Sequence, residues 1–201
     1  MKTITRYIDV YEYSELDDNA KEHAKRDYLD TCREPFIFTN LCEENLAYLL
    51  PNSDLKVEYS LASCQGDGFN IYGTVCLDDL LNKLSDKFTD KELRFLRWAF
   101  RNYSTMYKMP CNNSGYCYCV CDLHDYTEDI IYELEWHSYR GIQYDVLEKF
   151  NKLAKEYMTE LCSGFEKDGY DYFYEVSDDE MVEISDANEW YYTSDGSYCY
   201  V

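Results

Sequence analysis

The sequence predicts an α+β protein in which an antiparallel sheet, built around a central hairpin, is flanked by helices. The hairpin is predicted at residues 57–75, where two runs alternate apolar and polar side chains on either side of a turn, as strands do. Several other segments repeat apolar residues every three to four positions, which is typical of helices that pack on one face. Because 46% of the residues are hydrophobic and no Pro/Gly/Ser-rich linker interrupts the chain, we expect a single compact domain over residues 1–201.

The two arms of the hairpin each have one predicted apolar face. The residues on these faces are Val57, Tyr59 and Leu61, then Phe69, Ile71 and Gly73. Gln65, Gly66, Asp67 and Gly68 join the arms, and we interpret them as a hairpin turn because glycine tolerates positive φ and Asp bonds to nearby backbone. The alternative is a backbone pocket for an anion or ligand. No Gly-Lys-Ser/Thr follows, so this is not a P-loop, and Asp67 lacks the further carboxylates of a calcium loop.

The same rules place the other elements along the chain. Alternation predicts strands at residues 4–13, 116–120 and 130–136, and a second hairpin at residues 189–201. Helical spacing predicts helices at residues 17–30, 38–50, 77–84 and 143–165, with Pro35 breaking the chain before the second of them. Capping boxes at Thr89–Glu92 and Ser177–Glu180 predict two more helix starts. Residues 104–115 are predicted to form a loop.

Two predicted helices have a definite inner side. In the helix that begins after Thr89, the predicted inward residues are Phe95, Trp98, Ala99 and Asn102. In the helix at residues 143–165, they are Val146, Phe150, Leu153, Tyr157 and Leu161. Arg94, Arg97 and Arg101 form a basic stripe, interpreted as a solvated face that pairs with acidic residues near the C-terminus, or alternatively as a contact for phosphate or an acidic partner.

The charge of the chain is strongly negative and unevenly spread. The net charge is −21; residues 122–135 hold six acids and no Lys or Arg, and residues 166–201 hold 11 acids against one Lys. Phosphates would be repelled by such a surface rather than neutralised, so we expect no direct binding to nucleic acid.

The cysteine content bears on compartment and on metal binding. The ten cysteines are expected to be reduced thiols in the cytoplasm, because neither a signal core nor a membrane-spanning run is present. Cys111, Cys117, Cys119, Cys121 and His124 form the densest set of potential zinc ligands. Thiols that alternate along a strand lie about 6.5 Å apart, too far for all three to share one zinc without a bend. We therefore predict no metal and no cofactor, with zinc at this cluster as the alternative.

The acidic C-terminal part is the strongest candidate for a functional surface. No neighbouring base and oxyanion site can be identified for a nucleophile, so the sequence predicts a protein without enzymatic activity. Carboxylates there alternate with aromatic residues, a combination suited to contacting a basic protein surface. The predicted partner-binding residues are Asp178, Asp179, Glu180, Glu183, Asp186, Glu189, Tyr191 and Tyr192.

Three stretches of the chain also carry a family resemblance. They are Ser60 with the Gln-Gly-Asp-Gly turn and Gly73, then residues 13–24 with Tyr-Ser-Glu-Leu-Asp, then residues 172–196 with Ser-Asp-Asp-Glu and Asn-Glu-Trp-Tyr-Tyr. Together they resemble a family of small acidic proteins of phages and related mobile elements, some of them anti-CRISPR-like and some antitoxin-like. The resemblance implies an inhibitor that binds a bacterial CRISPR effector nuclease and blocks its DNA or guide RNA. The alternatives are an antitoxin-like regulator that neutralises a partner protein, and a small zinc-binding protein.

Overall fold

The computed structural model describes residues 7–62, 64, 66–109, 124–136 and 141–199. Its helices are α1 (Asp18–Cys32), α2 (Pro35–Leu49), α3 (Leu77–Lys83), α4 (Asp90–Asn102), α5 (His124–Trp136), α6 (Tyr144–Tyr174) and α7 (Asp178–Ala187). Its strands are β1 (Asp54–Ser60), β2 (Gly68–Cys76), β3 (Met106–Met109), β4 (Tyr191–Tyr192) and β5 (Tyr198–Cys199). These elements confirm the predicted α+β class, with an antiparallel sheet in the order β1-β2-β3 and a two-stranded sheet of β4 and β5.

Contacts within the chain define two compact units. Unit 1 comprises Met1–Phe38 and Gly169–Val201, and unit 2 comprises Thr39–Asp168. The boundaries after Phe38 and Asp168 fall inside α2 and α6. The single domain over residues 1–201 stays a prediction.

The central hairpin of unit 2 is formed by β1 and β2, as predicted, and its register is as follows. Val57 pairs with Ile71 and Tyr59 with Phe69, and the Tyr59 and Phe69 rings stack with their centroids 5.6 Å apart. Phe69 and Ile71 are buried, so this face of the sheet lies in the core, as the alternation predicts. Asn70, on the opposite face of β2, is buried as well, so in this part of the strand both faces are covered.

The left-handed backbone position of β2 is at Gly73, which pairs with Leu55 of β1 and with Met109 of β3. Its φ is 118°, and a Cβ placed there would collide with the carbonyl oxygen of Asp54. Only glycine therefore fits this position without strain. The third strand contradicts the loop predicted from residue 104, because Met106–Met109 pairs with β2 and buries Met109. A four-residue strand leaves too little alternation to detect.

The strand predicted at residues 130–136 is wrong, because these residues lie in α5. Thr127, Ile130 and Leu134 are buried whereas Tyr132 and Trp136 are exposed. Burial at intervals of three and four residues is the helical pattern. Ile130 and Leu134 fit both periods, so the alternation of apolar residues in this short run misled the prediction.

The inner sides of α4 and α6 are only partly those predicted. The Thr89 capping box is present at the start of α4, and Phe95 and Ala99 are buried as predicted. Trp98 is only half-buried and Asn102 is exposed, so the inner side turns toward Leu96 and Phe100. In α6, Val146 and Phe150 are buried as predicted, but the half-buried Leu153, Tyr157 and Leu161 flank a buried stripe of Leu147, Ala154, Met158, Cys162 and Phe165.

The start of unit 1 differs from the predicted first strand. Residues 4–6 lie outside the described residues, and of the rest only Tyr11 makes a strand contact, an isolated bridge to Tyr192. A short 3₁₀ helix occupies Tyr13–Glu15. Asp17 then caps α1 by accepting a hydrogen bond of 2.9 Å from the Ala20 N–H, which confirms the predicted helix. Pro35 begins α2 instead of breaking the chain before it, since the first helical position needs no N–H donor.

The C-terminal hairpin, β4 with β5, packs against α1 within unit 1. The core of this unit joins Tyr13, Leu16, Ala20, Ala24, Met181 and Tyr192. Gly196 has a φ of 86°, and a Cβ placed on it would collide with the Ala20 carbonyl oxygen. Across the described part of the chain, every helix is too short or too polar to cross a membrane.

Candidate protein-binding surface

Helix α7 carries most of the predicted partner-binding residues. Ser177 caps it, with the Ser177 hydroxyl accepting a hydrogen bond of 3.1 Å from the Glu180 N–H. The reciprocal half of the predicted capping box is not formed, because the Glu180 carboxylate pairs with the guanidinium of Arg33. Three acids in the first turn, Asp178, Asp179 and Glu180, suit the positive end of the helix dipole.

The acids of α7 divide into two groups, and those of the first pair with cationic side chains of unit 1. The Asp178 carboxylate lies 2.7 Å from Lys25 Nζ and accepts a hydrogen bond of 2.8 Å from the Tyr13 hydroxyl. These two contacts hold the pKa of Asp178 below its usual value. Glu180 is likewise paired with Arg33, so both charges are already compensated by a cation within unit 1.

The second group faces solvent. Asp179, Glu183 and Asp186 are exposed at intervals of four and three residues along α7, which places them on one side of the helix. Met181 and Ser185 are buried on the other side. Among the residues that the structure describes, no cation pairs with these three carboxylates. With Glu189 they form what we call the acidic face.

Glu189 joins this face through the way in which α7 ends. Its φ is 54°, the left-handed position that usually follows a helix and that glycine usually fills. The Trp190 N–H donates to the Ser185 carbonyl at 2.8 Å and the Glu189 N–H to the Asp186 carbonyl at 3.3 Å. This Schellman pattern fixes an exposed carboxylate just beyond the helix.

The two predicted tyrosines occupy different environments. Tyr191 is 38% exposed and can contact a partner, but Tyr192 is 2% exposed. The Tyr192 and Ser185 hydroxyls form a hydrogen bond of 2.7 Å, and burial raises the pKa of Tyr192. Tyr192 is therefore a core residue, and its inclusion in the surface is corrected.

The predicted turn at residues 65–68 is organised by one carboxylate. Asp67 accepts hydrogen bonds from the Ser60 hydroxyl at 3.2 Å, the Ala62 N–H at 3.0 Å and the Cys64 N–H at 2.8 Å. Gly66 belongs to the connection and Gly68 begins β2, whereas Gln65 lies outside the described residues. The hairpin is thus confirmed, and Asp67 is engaged inside its own loop, where its negative charge disfavours an anion.

Most of the potential zinc ligands lie in a part of the chain that the structure does not describe. Cys111, Cys117, Cys119 and Cys121 lie outside the described residues, and His124 is the first residue of α5. Within the parts of the chain that are described, no group of three or more His, Cys, Asp or Glu side chains is positioned to hold a metal ion. Zinc binding by this cluster stays an alternative prediction.

The basic stripe of α4 is exposed. The Arg94 Nε–H donates to the Asp90 carbonyl at 3.1 Å. Arg97 and Arg101 are exposed and form no ion pair with any carboxylate in the described ranges. The solvated face predicted for this helix is therefore present, but it is not neutralised by acidic residues of the described chain.

Arg33, whose guanidinium contacts two aromatic rings and a carboxylate, was not identified by the sequence analysis. Its guanidinium lies 5.2 Å from the Tyr28 ring centroid and 4.6 Å from that of Tyr172, and it pairs with Glu180. Glu180 is 147 residues away in sequence. No spacing rule links residues so far apart, so the sequence offers no signal for this contact.

Comparisons with protein-family models, with curated proteins and with solved structures find no match to this chain. The fold and the acidic face define the chain as an acidic α+β protein. The resemblance to mobile-element proteins stays a prediction.

Proposed function

We propose that the protein is a non-enzymatic inhibitor of a bacterial CRISPR effector nuclease, acting through its acidic face. The observation that carries this proposal is the set of four exposed carboxylates, Asp179, Glu183, Asp186 and Glu189, that have no cation partner among the described residues. The face would cover a basic channel on the nuclease and prevent DNA or guide RNA from entering it.

Charge complementarity is the physical basis of this proposal. Unpaired surface carboxylates attract a Lys/Arg-lined channel, and the net charge of −21 raises the encounter rate with such a partner. Tyr191 is exposed at the start of β4, two residues after Glu189. It supplies an aromatic contact of the kind that is enriched at interfaces.

The inhibition itself can be measured with purified effector–guide complexes and labelled target DNA. We expect the wild-type protein to reduce DNA binding and cleavage, and to do so less effectively as salt is raised. A variant with Asp179, Glu183, Asp186 and Glu189 changed to Lys should lose this effect.

A matched control distinguishes the effect of the acidic face from the effect of net charge. Glu44, Asp54, Glu148 and Glu160 are also exposed, and changing these four to Lys alters the net charge equally. This control variant should still inhibit. Failure of the wild-type protein to affect DNA binding by any effector tested, together with capture of a small toxin from host lysate, would replace the proposal with the antitoxin-like alternative.

A further inference from the structure

Unit 1 contains a cavity of about 480 Å³ between α1 and the C-terminal hairpin. The α1 side is formed by Ala24, Asp27, Tyr28, Thr31 and Cys32, and the opposite side by Trp190, Tyr192, Gly196, Ser197 and Tyr198. This volume is within the range of pockets that bind small ligands or single side chains.

Aromatic rings form several walls of this cavity. The Trp190 ring lies 6.2 Å from Tyr28 and 5.3 Å from Tyr198, at interplanar angles of 59° and 64°. Tyr192 lies 6.4 Å from Tyr198 at 74°. Because neighbouring rings are steeply inclined, they line the cavity at different angles rather than as one flat stack. Aromatic faces carry negative electrostatic potential and attract cations.

The residues that line the cavity also carry negative charge. Asp27 is the charged residue among the lining residues, and no Lys or Arg is among them. The Asp27 carboxylate also lies 3.6 Å from Nε2 of His23, one helical turn earlier. Burial raises the pKa of the Cys32 thiol, which keeps this group neutral near pH 7. Among the lining residues an anion would therefore meet no cationic side chain, whereas a cation would meet aromatic rings and a carboxylate. The Arg33 guanidinium is not part of the lining but lies 5.2 Å from the Tyr28 ring centroid.

The neighbouring Arg33 site demonstrates this chemistry within the same unit. Its guanidinium lies near the rings of Tyr28 and Tyr172, and Tyr28 also lines the cavity. Rings of this unit thus already contact one organic cation.

The cavity walls are held in place by backbone contacts. Gly196 approaches Ala20 so closely that no side chain fits between them, and His23 Nδ1 lies 2.8 Å from the Asp195 carbonyl oxygen. The hairpin is thereby fixed against α1, so little ordering is needed when a ligand binds.

We propose that this cavity is a binding site for an organic cation, a guanidinium or alkylammonium group, held by the faces of Tyr28, Trp190 and Tyr198 and by the carboxylate of Asp27. The cation is either a free small molecule or a side chain of another protein. This site is separate from the acidic face and does not depend on the proposed function.

The test is a titration of the full chain with small molecules, monitored by ¹H–¹⁵N spectra. The readout is the shift of the Trp190 indole N–H signal, which is assigned from its absence in the Trp190→Phe variant. Choline and N-acetyl-arginine amide are the cationic probes. Their neutral counterparts are 3,3-dimethylbutanol and N-acetyl-citrulline amide. We expect saturable shifts with the cations and at least about tenfold weaker binding of the neutral molecules. Tighter binding of choline indicates a free ligand, and tighter binding of the arginine derivative indicates a protein side chain.

Variants locate the binding to the cavity. Tyr198→Leu and Asp27→Asn should each weaken cation binding by about threefold or more, and Asp27→Asn should not change binding of the neutral molecules. The control is Trp136→Leu, which changes an exposed tryptophan at the end of α5. This variant should bind the cations as tightly as the wild type does. Asp27 and Tyr198 are exposed lining residues at the rim of the cavity. Variants of these two rim residues therefore remain informative if Trp190→Phe does not fold. Equal affinity for cations and neutral counterparts, the absence of a saturable shift with either cation, or wild-type binding by both rim variants would overturn the proposal.

Discussion

The Tyr13 hydroxyl donates a hydrogen bond of 2.8 Å to the Asp178 carboxylate, 165 residues further along the chain. Asp178 also pairs with Lys25 at 2.7 Å. The Asp178 side chain therefore connects the first turn of α7 to Tyr13 and to α1. The next residue, Asp179, faces solvent. Two adjacent aspartates of one acidic sequence thus have different roles, one in stability and one in the acidic face.

The first prediction concerns the pH dependence of this contact. The Lys25 and Tyr13 contacts lower the pKa of Asp178 in the folded state, so they stabilise the fold above the ordinary aspartate pKa. That stabilisation is lost as the pH falls through the lowered value. Asp178→Asn should therefore reduce the free energy of unfolding at pH 7, and the difference from wild type should shrink in acid.

Urea unfolding from pH 7 downward measures this difference. Asp179→Asn is the matched control, because it changes the same helix turn without breaking an internal ion pair, and it should have only a small effect. A difference between wild type and Asp178→Asn that is constant with pH would show that the contact with Lys25 and Tyr13 does not stabilise the protein.

The second prediction concerns the docking of the C-terminal hairpin. Gly196→Ala places a Cβ against the Ala20 carbonyl at a φ of 86° and should destabilise the protein by at least about 1 kcal/mol. Gly164 lies in α6, and no atom outside its own stretch of helix in the described residues comes within 4 Å of the position of its missing Cβ. Gly164→Ala should therefore stabilise the protein by about 0.5–1 kcal/mol, the usual helical difference between the two residues. Thermal unfolding of both variants gives the comparison, and destabilisation of equal size in both would contradict this account of Gly196.

The third prediction distinguishes a helix from a strand at residues 130–136. In α5 Ile130 is buried and Tyr132 is 62% exposed, whereas a strand would place the two on one face. Ile130→Ala should cost about 2–5 kcal/mol, and Tyr132→Ala should change stability by no more than about 0.5 kcal/mol. Chemical unfolding monitored by circular dichroism provides both values. Similar losses for the two variants would favour the strand.

Local signals explain which parts of the fold are predictable from sequence. The central hairpin, the Thr89 capping box and the start of α1 depend on residues close in the chain, and all three are confirmed. The 130–136 segment failed because its few apolar residues fit two periods. The burial of Tyr192 could not be predicted, since an aromatic residue in a short strand is equally suited to core and surface.

The candidate surface shows the same division. Composition located the acidic region, but no sequence rule indicates that Asp178 and Glu180 bind Lys25 and Arg33 within unit 1. Those partners are distant in sequence, so the available charges emerge only once the chain is folded. The predicted set of six carboxylates thereby becomes an acidic face of four.

The association rate with a CRISPR effector nuclease tests the central claim most directly. Because long-range charge attraction mainly speeds encounter, changing Asp179, Glu183, Asp186 and Glu189 to Lys should slow association by about tenfold or more at low salt. High salt should reduce this difference, and the control variant with Glu44, Asp54, Glu148 and Glu160 changed to Lys should associate faster than the acidic-face variant. Circular dichroism must first show that both variants are folded. Equal association rates for wild type and a folded acidic-face variant at low salt would contradict the claim that this face binds the partner.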